Sequence, residues 1–257
     1  MSIRRREETK VVAIIQARMG STRLPGKVLM DIAGRPMLAQ QIRRLRQCKS
    51  VDEIVIATTT NRTDDSVVEL AQWEGVSWFR GAEQDVLSRF VGAAGQAQAD
   101  VIVRVTADCP LIDPQVTDRV ISELVEHASG CDYASNVLQR TYPRGLDVEA
   151  FFWDTLLRMD RLGRSQAARE HVTLVLRVEQ PRLFLCRSVA DSHNNADLRW
   201  TVDTADDLQM VRALYVALSL DVRAVPYSEI LAYVRAHPEM ARLNANVETW
   251  DPSSSPT

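Results

Sequence analysis

The amino-acid sequence predicts an α/β fold, a three-layer, doubly wound and mostly parallel sheet. Three observations carry the prediction. Short apolar runs alternate with amphipathic stretches across the first half of the chain. The runs are apolar at consecutive positions, as strands buried on both faces require. Turn, hydroxyl and cationic residues follow directly on several runs, at what become the carboxyl ends of the strands, where such sheets bind ligands.

Residues 11–15 (VVAII) read as the first strand. Residues 36–48 read as an amphipathic helix opening on Pro36, with Met37, Leu38, Ile42 and Leu45 toward the core and Arg43, Arg44 and Arg46 as a solvated face. A second strand over 53–58 leads to a helix over 64–74, capped by Thr63 or Asp64. A short strand over 76–79, a helix over 84–97, a strand over 100–106 and a helix over 114–128 complete the regular half. Beyond it the pattern loosens. Strands are expected over 133–137, 147–152, 183–189 and 198–202, and helices over 152–162, 167–179, 205–218 and 227–236. Residues 1–250 are expected to form one domain, and the polar, proline-bearing 251–257 (DPSSSPT) a disordered tail.

Bulk properties narrow the function. The 257 residues are 46% apolar and 25% charged, ordinary for a soluble globular chain. A net charge of −3 argues against a general nucleic-acid binder and for cations gathered at local sites. Cys48, Cys109, Cys131 and Cys186 are widely spaced, which indicates neither a zinc site nor a disulfide framework. The first apolar run is too short for a signal-peptide core and no other run could span a membrane, so the cytoplasm is the expected compartment.

The loop after the first strand, residues 16–29 (QARMGSTRLPGKVL), places Arg18, Arg23 and Lys27 among Gly20, Ser21, Thr22, Pro25 and Gly26. Glycines let a backbone approach a polyanion and turn N–H groups toward it, and the cations neutralise its charge. A triphosphate is the expected ligand. A P-loop is excluded: five residues separate Gly20 from Gly26-Lys27, and Val28 stands where a magnesium-holding hydroxyl belongs. The alternative is a surface loop whose cations are merely solvated.

Two carboxylates share one kind of position. Asp108 ends the run 100–106, and Asp203 ends 198–202 before a helix. Magnesium typically takes one or two protein carboxylates plus phosphate oxygens and water, so this pair could hold a magnesium–triphosphate. Asp203 could instead cap the helix, though Thr204 or Asp206 would also serve, and Asp113 before Pro114 reads as a cap. Between them, Asp147 and Glu149 stand two residues apart and would share one strand face, suited to hydroxyl or ammonium recognition or else to a solvent-facing edge. Arg144 stands nearby on different spacing. His171, beside Arg169 and Glu170, is more often a structural histidine in such company, and Cys109 reads as a small core residue.

With these residues in view, the chain resembles the cytidylyltransferase family, chiefly its spore-coat polysaccharide biosynthesis protein F branch, related to acylneuraminate and 3-deoxy-manno-octulosonate cytidylyltransferases. The resemblance rests on eight stretches in order: QARMGSTRLPGKVL (16–29), ATTTN (57–61), FRGAEQDVLSRF (79–90), RVTADCPLID (104–113), YPRGLDVEAF (142–151), REHVT (169–173), LRWTVDTADDL (198–208) and HPEMARLNANVE (237–248). It implies a glycosyltransferase-A-like nucleotidyltransferase fold, CTP as donor, Mg2+ as cofactor, a small anionic acceptor such as a sugar acid, and a CMP-linked product. It further implies a homodimer, with an acceptor and dimerisation segment near 138–197. By matching positions it assigns Arg18, Arg23 and Lys27 to the triphosphate and to catalysis. Gln16, Ala17, Gly20, Ser21, Thr59, Asp85, Arg89, Thr106 and Ala107 fall on the nucleotide side, Asp108 and Asp203 on magnesium, and Arg144, Asp147, Glu149 and His171 on the acceptor side.

Two stretches depart from the family pattern. LVLRVEQ (174–180) stands where a proline–aromatic pair is expected, and VADSHNNA (189–196) is unfamiliar; both fall on the acceptor side. Rival functions are a phosphonate or other small-molecule nucleotidyltransferase, a sugar-nucleotide glycosyltransferase and an inert nucleotide-binding protein. The glycosyltransferase would want a DxD metal motif, where this chain has Asp108-Cys109-Pro110.

Overall fold

The computed structural model describes residues 9–247. The expected tail at 251–257 lies outside the described residues. Six parallel and antiparallel neighbours build a seven-stranded sheet in the order β5-β4-β1-β6-β8-β7-β9. Its parallel half comprises β1 (Val11–Gln16), β4 (Glu53–Thr59), β5 (Ser77–Gly81) and β6 (Val101–Thr106). β8 (Glu149–Phe152) runs antiparallel to β6 and to β7 (Tyr133–Ser135), and β9 (Cys186–Ser188) closes the far edge parallel to β7.

Strand alternation divides the core. Val11, Ala13 and Ile15 of β1 face one side, under α1 (Met37–Leu45), α2 (Asp65–Glu74) and α4 (Pro114–Glu126). Val12 and Ile14 face the other, under α3 (Val86–Gln96), α5 (Trp153–Leu162) and α6 (Gln166–His171). A third cluster joins α7 (Ala205–Leu218) and α8 (Tyr227–Ala236) to Tyr142, Leu146, Leu198, Trp200 and Val202. A two-stranded hairpin, β2 (Asp31–Ile32) and β3 (Arg35–Pro36), precedes α1, and a short α9 (Pro238–Arg242) follows α8.

The first half follows the sequence pattern closely, and the second half departs from it in instructive ways. Residues 198–202 form no strand. They lie extended, joined to the chain at 144 by a single bridge, Arg144 to Arg199, and by the Trp200 N–H donating to the Arg144 carbonyl at 2.6 Å. The helix expected over 167–179 stops at His171. Val172 takes φ 49°, and a π-helical turn follows over Val175–Glu179. At the break both Val172 and Thr173 turn inward, the first into the apolar core and the second to donate to Glu149 Oε1 at 2.6 Å.

Glu149, for which a solvent-facing edge is the alternative reading, and Arg44, expected on a solvated face, are both buried. Glu149 is on no solvent-facing edge: β8 lies between β6 and β7, and the side chain is buried. Arg44 is no part of a solvated face. Its guanidinium donates to the Ile112 carbonyl at 2.6 Å and the Val225 carbonyl at 3.1 Å, tying α1 to the approach of α4 and of α8.

Candidate active site

Gln16, Thr59 and Thr106 end three neighbouring parallel strands, so the loops that follow them converge on one edge of the sheet. The loop after β1 is pinned there. The buried Asp64 carboxylate accepts from the Met19 N–H at 2.7 Å and from the Thr59 hydroxyl, fastening the loop to the end of β4. Further on, Gly26 takes φ 72°, a left-handed conformation that costs glycine nothing, and opens a short 3-10 turn over Lys27–Leu29. That turn sends Lys27 inward.

Lys27 Nζ donates to the Val202 carbonyl at 2.7 Å and to Asp203 Oδ1 at 2.9 Å, and stands 3.6 Å from Asp108 Oδ2. The Val202 N–H in turn donates to the Asp108 carbonyl at 2.8 Å, so the two carboxylate-bearing segments are held side by side. The structure thus brings together three residues separated by up to 176 positions. Burial disfavours the Lys27 charge, yet Asp108 and Asp203 outweigh it and hold the ammonium above its ordinary range. Burial likewise works against the Asp203 carboxylate, and Lys27, Arg199 and Arg23 more than compensate, holding it below the usual range.

Asp203 is spared from capping. Thr204 caps α7, accepting from the Asp207 N–H, and Asp207 returns the bond to the Thr204 N–H at 3.0 Å. Asp207, wholly buried, also accepts from the Asp203 N–H at 2.9 Å and from Arg199 Nε at 2.8 Å. Arg199 reaches Asp203 Oδ2 at 2.7 Å and Arg23 reaches it at 3.0 Å.

A cavity of about 510 Å3 opens beside this cluster. Arg23, Asp108 and Asp203 form one part of its wall, and Arg144, Asp147 and Glu149 another. It also gathers Arg104, Arg140, Arg177 and Arg199, which sequence reasoning did not single out. Arg140 holds Asp147 in a two-bond fork at 2.6 and 2.8 Å. Arg104 donates to Glu149 and, at 3.0 Å, to Gln16 Oε1, while Arg177 stands 4.0 Å from Glu149. Tyr133 donates to Glu149 Oε1 at 2.6 Å. Burial would raise the Glu149 carboxyl, but Arg104, Arg177 and these donors keep it below its usual range. A signal for Arg104 existed: it is the lone charge inside the apolar run 101–106.

His171 does not line the cavity that holds Arg144, Asp147 and Glu149. It lines a second cleft, of about 340 Å3, with Gln16, Ala17, Arg18 and Arg89. Burial lowers the imidazole below its usual range against the pull of Glu170, which favours the neutral ring at neutral pH. Arg18 meets Glu83 at 3.0 Å on the rim. Arg89 is buried and donates to the Ala82 carbonyl at 2.8 Å; burial and the neighbouring Arg18 push it down to about 10. Asp85 caps α3 through the Ser88 N–H and grips Arg169. Thr59 is buried against Asp64, Ala17 and Ala107 are buried at the strand ends, Thr106 donates to Asp108, and Gly20 and Ser21 lie on the outer part of the loop.

The carboxylate pair suits a hard divalent cation. Asp108 and Asp203 converge on one ammonium, and a cation there would take carboxylate oxygens from both and leave positions for phosphate.

The family model described as cytidylyltransferase matches residues 12–217. The chain is 33% identical over 238 residues to the spore coat polysaccharide biosynthesis protein SpsF of Bacillus subtilis, covering 90% of this chain and 96% of that one. It is 37% identical over 120 residues to a 3-deoxy-manno-octulosonate cytidylyltransferase of Geobacter metallireducens, 47% of this chain and 46% of the other. The solved structure of a cytidylyltransferase from Leptospira borgpetersenii superposes with a TM-score of 0.87 at 31% identity, covering 95% of this chain and all of that one. The family match over residues 12–217, the near full-length similarity to the Bacillus protein and the superposition on the Leptospira enzyme place the chain in the cytidylyltransferase family, as a CTP-dependent nucleotidyltransferase.

Proposed function

We propose that the protein transfers CMP from CTP to a sugar acid or related anionic acceptor, with release of pyrophosphate, in the synthesis of a surface-polysaccharide or glycoconjugate precursor. One observation carries the anionic acceptor. Arg23 and Arg199 in the cavity wall, with Lys27 behind them, are matched by Asp108, Asp203 and the adjoining Asp207. Of the other lining cations, Arg104, Arg140 and Arg177 share only two carboxylates, Asp147 and Glu149. The cationic excess thus lies on the acceptor side, where it attracts an anion. The names of the Bacillus and Geobacter relatives, which refer to polysaccharide biosynthesis and to an octulosonate, point the same way.

The chemistry asks little covalent work of the protein. An acceptor oxygen attacks the α-phosphorus in line and pyrophosphate departs, so positioning and charge stabilisation dominate. Lys27, Arg18 and Arg23 hold the triphosphate, with Lys27 offsetting charge that develops on the leaving group. Asp108 and Asp203 would hold magnesium, which would neutralise phosphate charge. Gln16, fixed through Arg104 to Glu149, couples the nucleotide end of the sheet to the acceptor wall. The nucleotide's base side falls to the cleft of Ala17, Arg89 and His171. A homodimer through the β9 edge is supported by the exposed Leu183 and Leu185 beside it.

The test is pyrophosphate release from CTP and magnesium with a panel of sugar acids, matched to the same sugars as neutral amides. Release with an acid and little with its amide is the expected result. Transfer confined to neutral acceptors would overturn the acceptor assignment.

A further inference from the structure

Three cationic side chains converge on Asp203. Lys27 Nζ donates to Oδ1 at 2.9 Å, while Arg199 and Arg23 meet Oδ2 at 2.7 and 3.0 Å. The same Lys27 ammonium lies 3.6 Å from Asp108 Oδ2 and donates to the Val202 carbonyl at 2.7 Å. Both carboxylates of the metal position therefore share one ammonium, which is largely buried and fixed by the 3-10 turn beginning after Gly26. Among the described residues, no group of three or more His, Cys, Asp or Glu side chains is placed to hold a metal ion.

Those facts bear on how a dication gets in. Two carboxylates already neutralised by a buried ammonium and two guanidinium groups attract a bare dication weakly, and a magnesium-type cation needs more oxygen ligands than two carboxylates give. A triphosphate changes both conditions. Its oxygens draw Lys27 and Arg23 away from the carboxylates by forming strong charge-assisted bonds of their own, and the same oxygens complete the cation's ligand shell.

We propose that Lys27 is the resident counter-cation of the metal position, and that the divalent cation enters only together with the nucleotide. On nucleotide entry, the ammonium passes from Asp108 and Asp203 to the triphosphate, which frees both carboxylates to hold a cation. Lys27 is then a gate against metal alone as well as a phosphate ligand. The inference rests on the nucleotidyl-transfer reading above and adds to it an order of binding.

Equilibrium ultrafiltration of the full-length protein with Mn2+ tests it. The wild type is expected to retain Mn2+ at least about tenfold more tightly with CTP than without. K27M is expected to retain Mn2+ without CTP, at least about tenfold more tightly than the wild type, and K27M/D203N to lose that gain. Circular dichroism confirms that the variants fold, and the wild-type comparison stands without them. Wild-type protein that binds Mn2+ alone as tightly as with CTP would overturn the proposal, as would a folded K27M that binds Mn2+ no better than wild type. No acceptor enters the experiment, so its failure is distinct from failure of the acceptor assignment, which pyrophosphate release reads.

Discussion

Asp85 and Arg169, 84 residues apart in the chain, meet through two hydrogen bonds of 2.7 Å each, from the guanidinium Nε and Nη2 to the two carboxylate oxygens. Asp85 also caps α3, and Arg169 reaches Asp160 at 2.7 Å, so the pair locks α6 against α3 and α5. Glu170 and His171, next along α6, thereby keep their place in the cleft with Arg18 and Arg89.

Removing this lock is expected to loosen the cleft of Arg18, Arg89 and His171, proposed above for the nucleotide, more than the fold. Asp85→Ala loses both the cap and the pair, and should cost about 1–2 kcal/mol of stability with a several-fold rise in KM for CTP. Asp85→Asn keeps a capping oxygen and loses only a partly exposed ion pair, so its stability should fall by about 0–1 kcal/mol. Urea denaturation and initial rates against CTP separate the two effects. Equal losses in both variants would mean that the cap contributes nothing.

Acid should destabilise the site before it destabilises the parallel half of the sheet. Burial opposes charge on Glu149, Asp203 and Asp207, but Arg104, Lys27 and Arg199 respectively outweigh it, and all three carboxyls titrate below their ordinary range. A depressed folded pKa contributes stability that is fully present above the unfolded value and disappears as pH falls through the folded one. Unfolding free energy should therefore hold steady down to about pH 5 and decline steadily below it. Asp207→Asn should flatten that acid limb, whereas Asp207→Ala, which leaves Arg199 with Asp203 alone and the Asp203 and Thr204 N–H groups without their acceptor, should cost about 3–5 kcal/mol at neutral pH. Urea melts from about pH 3 to 7 give the comparison.

How far the sequence reveals this site depends on the range of the contacts. Strands buried on both faces read as apolar runs, so β1, β4 and β6 were legible to within one residue at their ends. Asp108 and Asp203 were legible for the same reason, because each stands where an extended apolar segment ends. Arg140 and Arg177 were not. A guanidinium aimed into a cavity and one left in solvent look alike in sequence, and the partners that aim these two, Asp147 and Glu149, lie on other segments. The break at Val172 was equally hidden, since residues 168, 172, 175 and 176 keep helical spacing while the backbone departs from a helix.

Arg177 should set acceptor affinity without touching nucleotide affinity. It rises from the π-helical turn and lines the cavity wall near Glu149, and a turn of that type is frequent at functional sites. Arg177→Met is expected to raise KM for an acidic acceptor about 10- to 100-fold, the range for losing a charge-assisted hydrogen bond, with KM for CTP unchanged. Arg177→Lys should recover part of the loss. Parallel increases in both constants would place Arg177 in the fold rather than in acceptor recognition.

Gly145 should prove the least replaceable glycine near the site. It takes φ 105°, and a Cβ there would lie 2.4 Å from the Thr201 backbone nitrogen. That close approach is what seats residues 198–202 against residue 144, and through them the Val202 carbonyl and the Asp203 carboxylate against Lys27. Gly145→Ala must either push that segment away or strain the backbone, and is expected to cost about 3 kcal/mol or more. Gly34 supplies the control: it also has positive φ, 79°, but a Cβ there meets nothing within 4 Å. Gly34→Ala should therefore cost only the backbone preference, about 1 kcal/mol, and leave turnover intact. Thermal melts together with CTP-dependent pyrophosphate release at varied Mg2+ would show the difference, with Gly145→Ala also raising the Mg2+ requirement as Asp203 shifts. Equal stability losses in the two variants would mean that conformational preference alone, and not the backbone contact with Thr201, holds the segment bearing Asp203 in place.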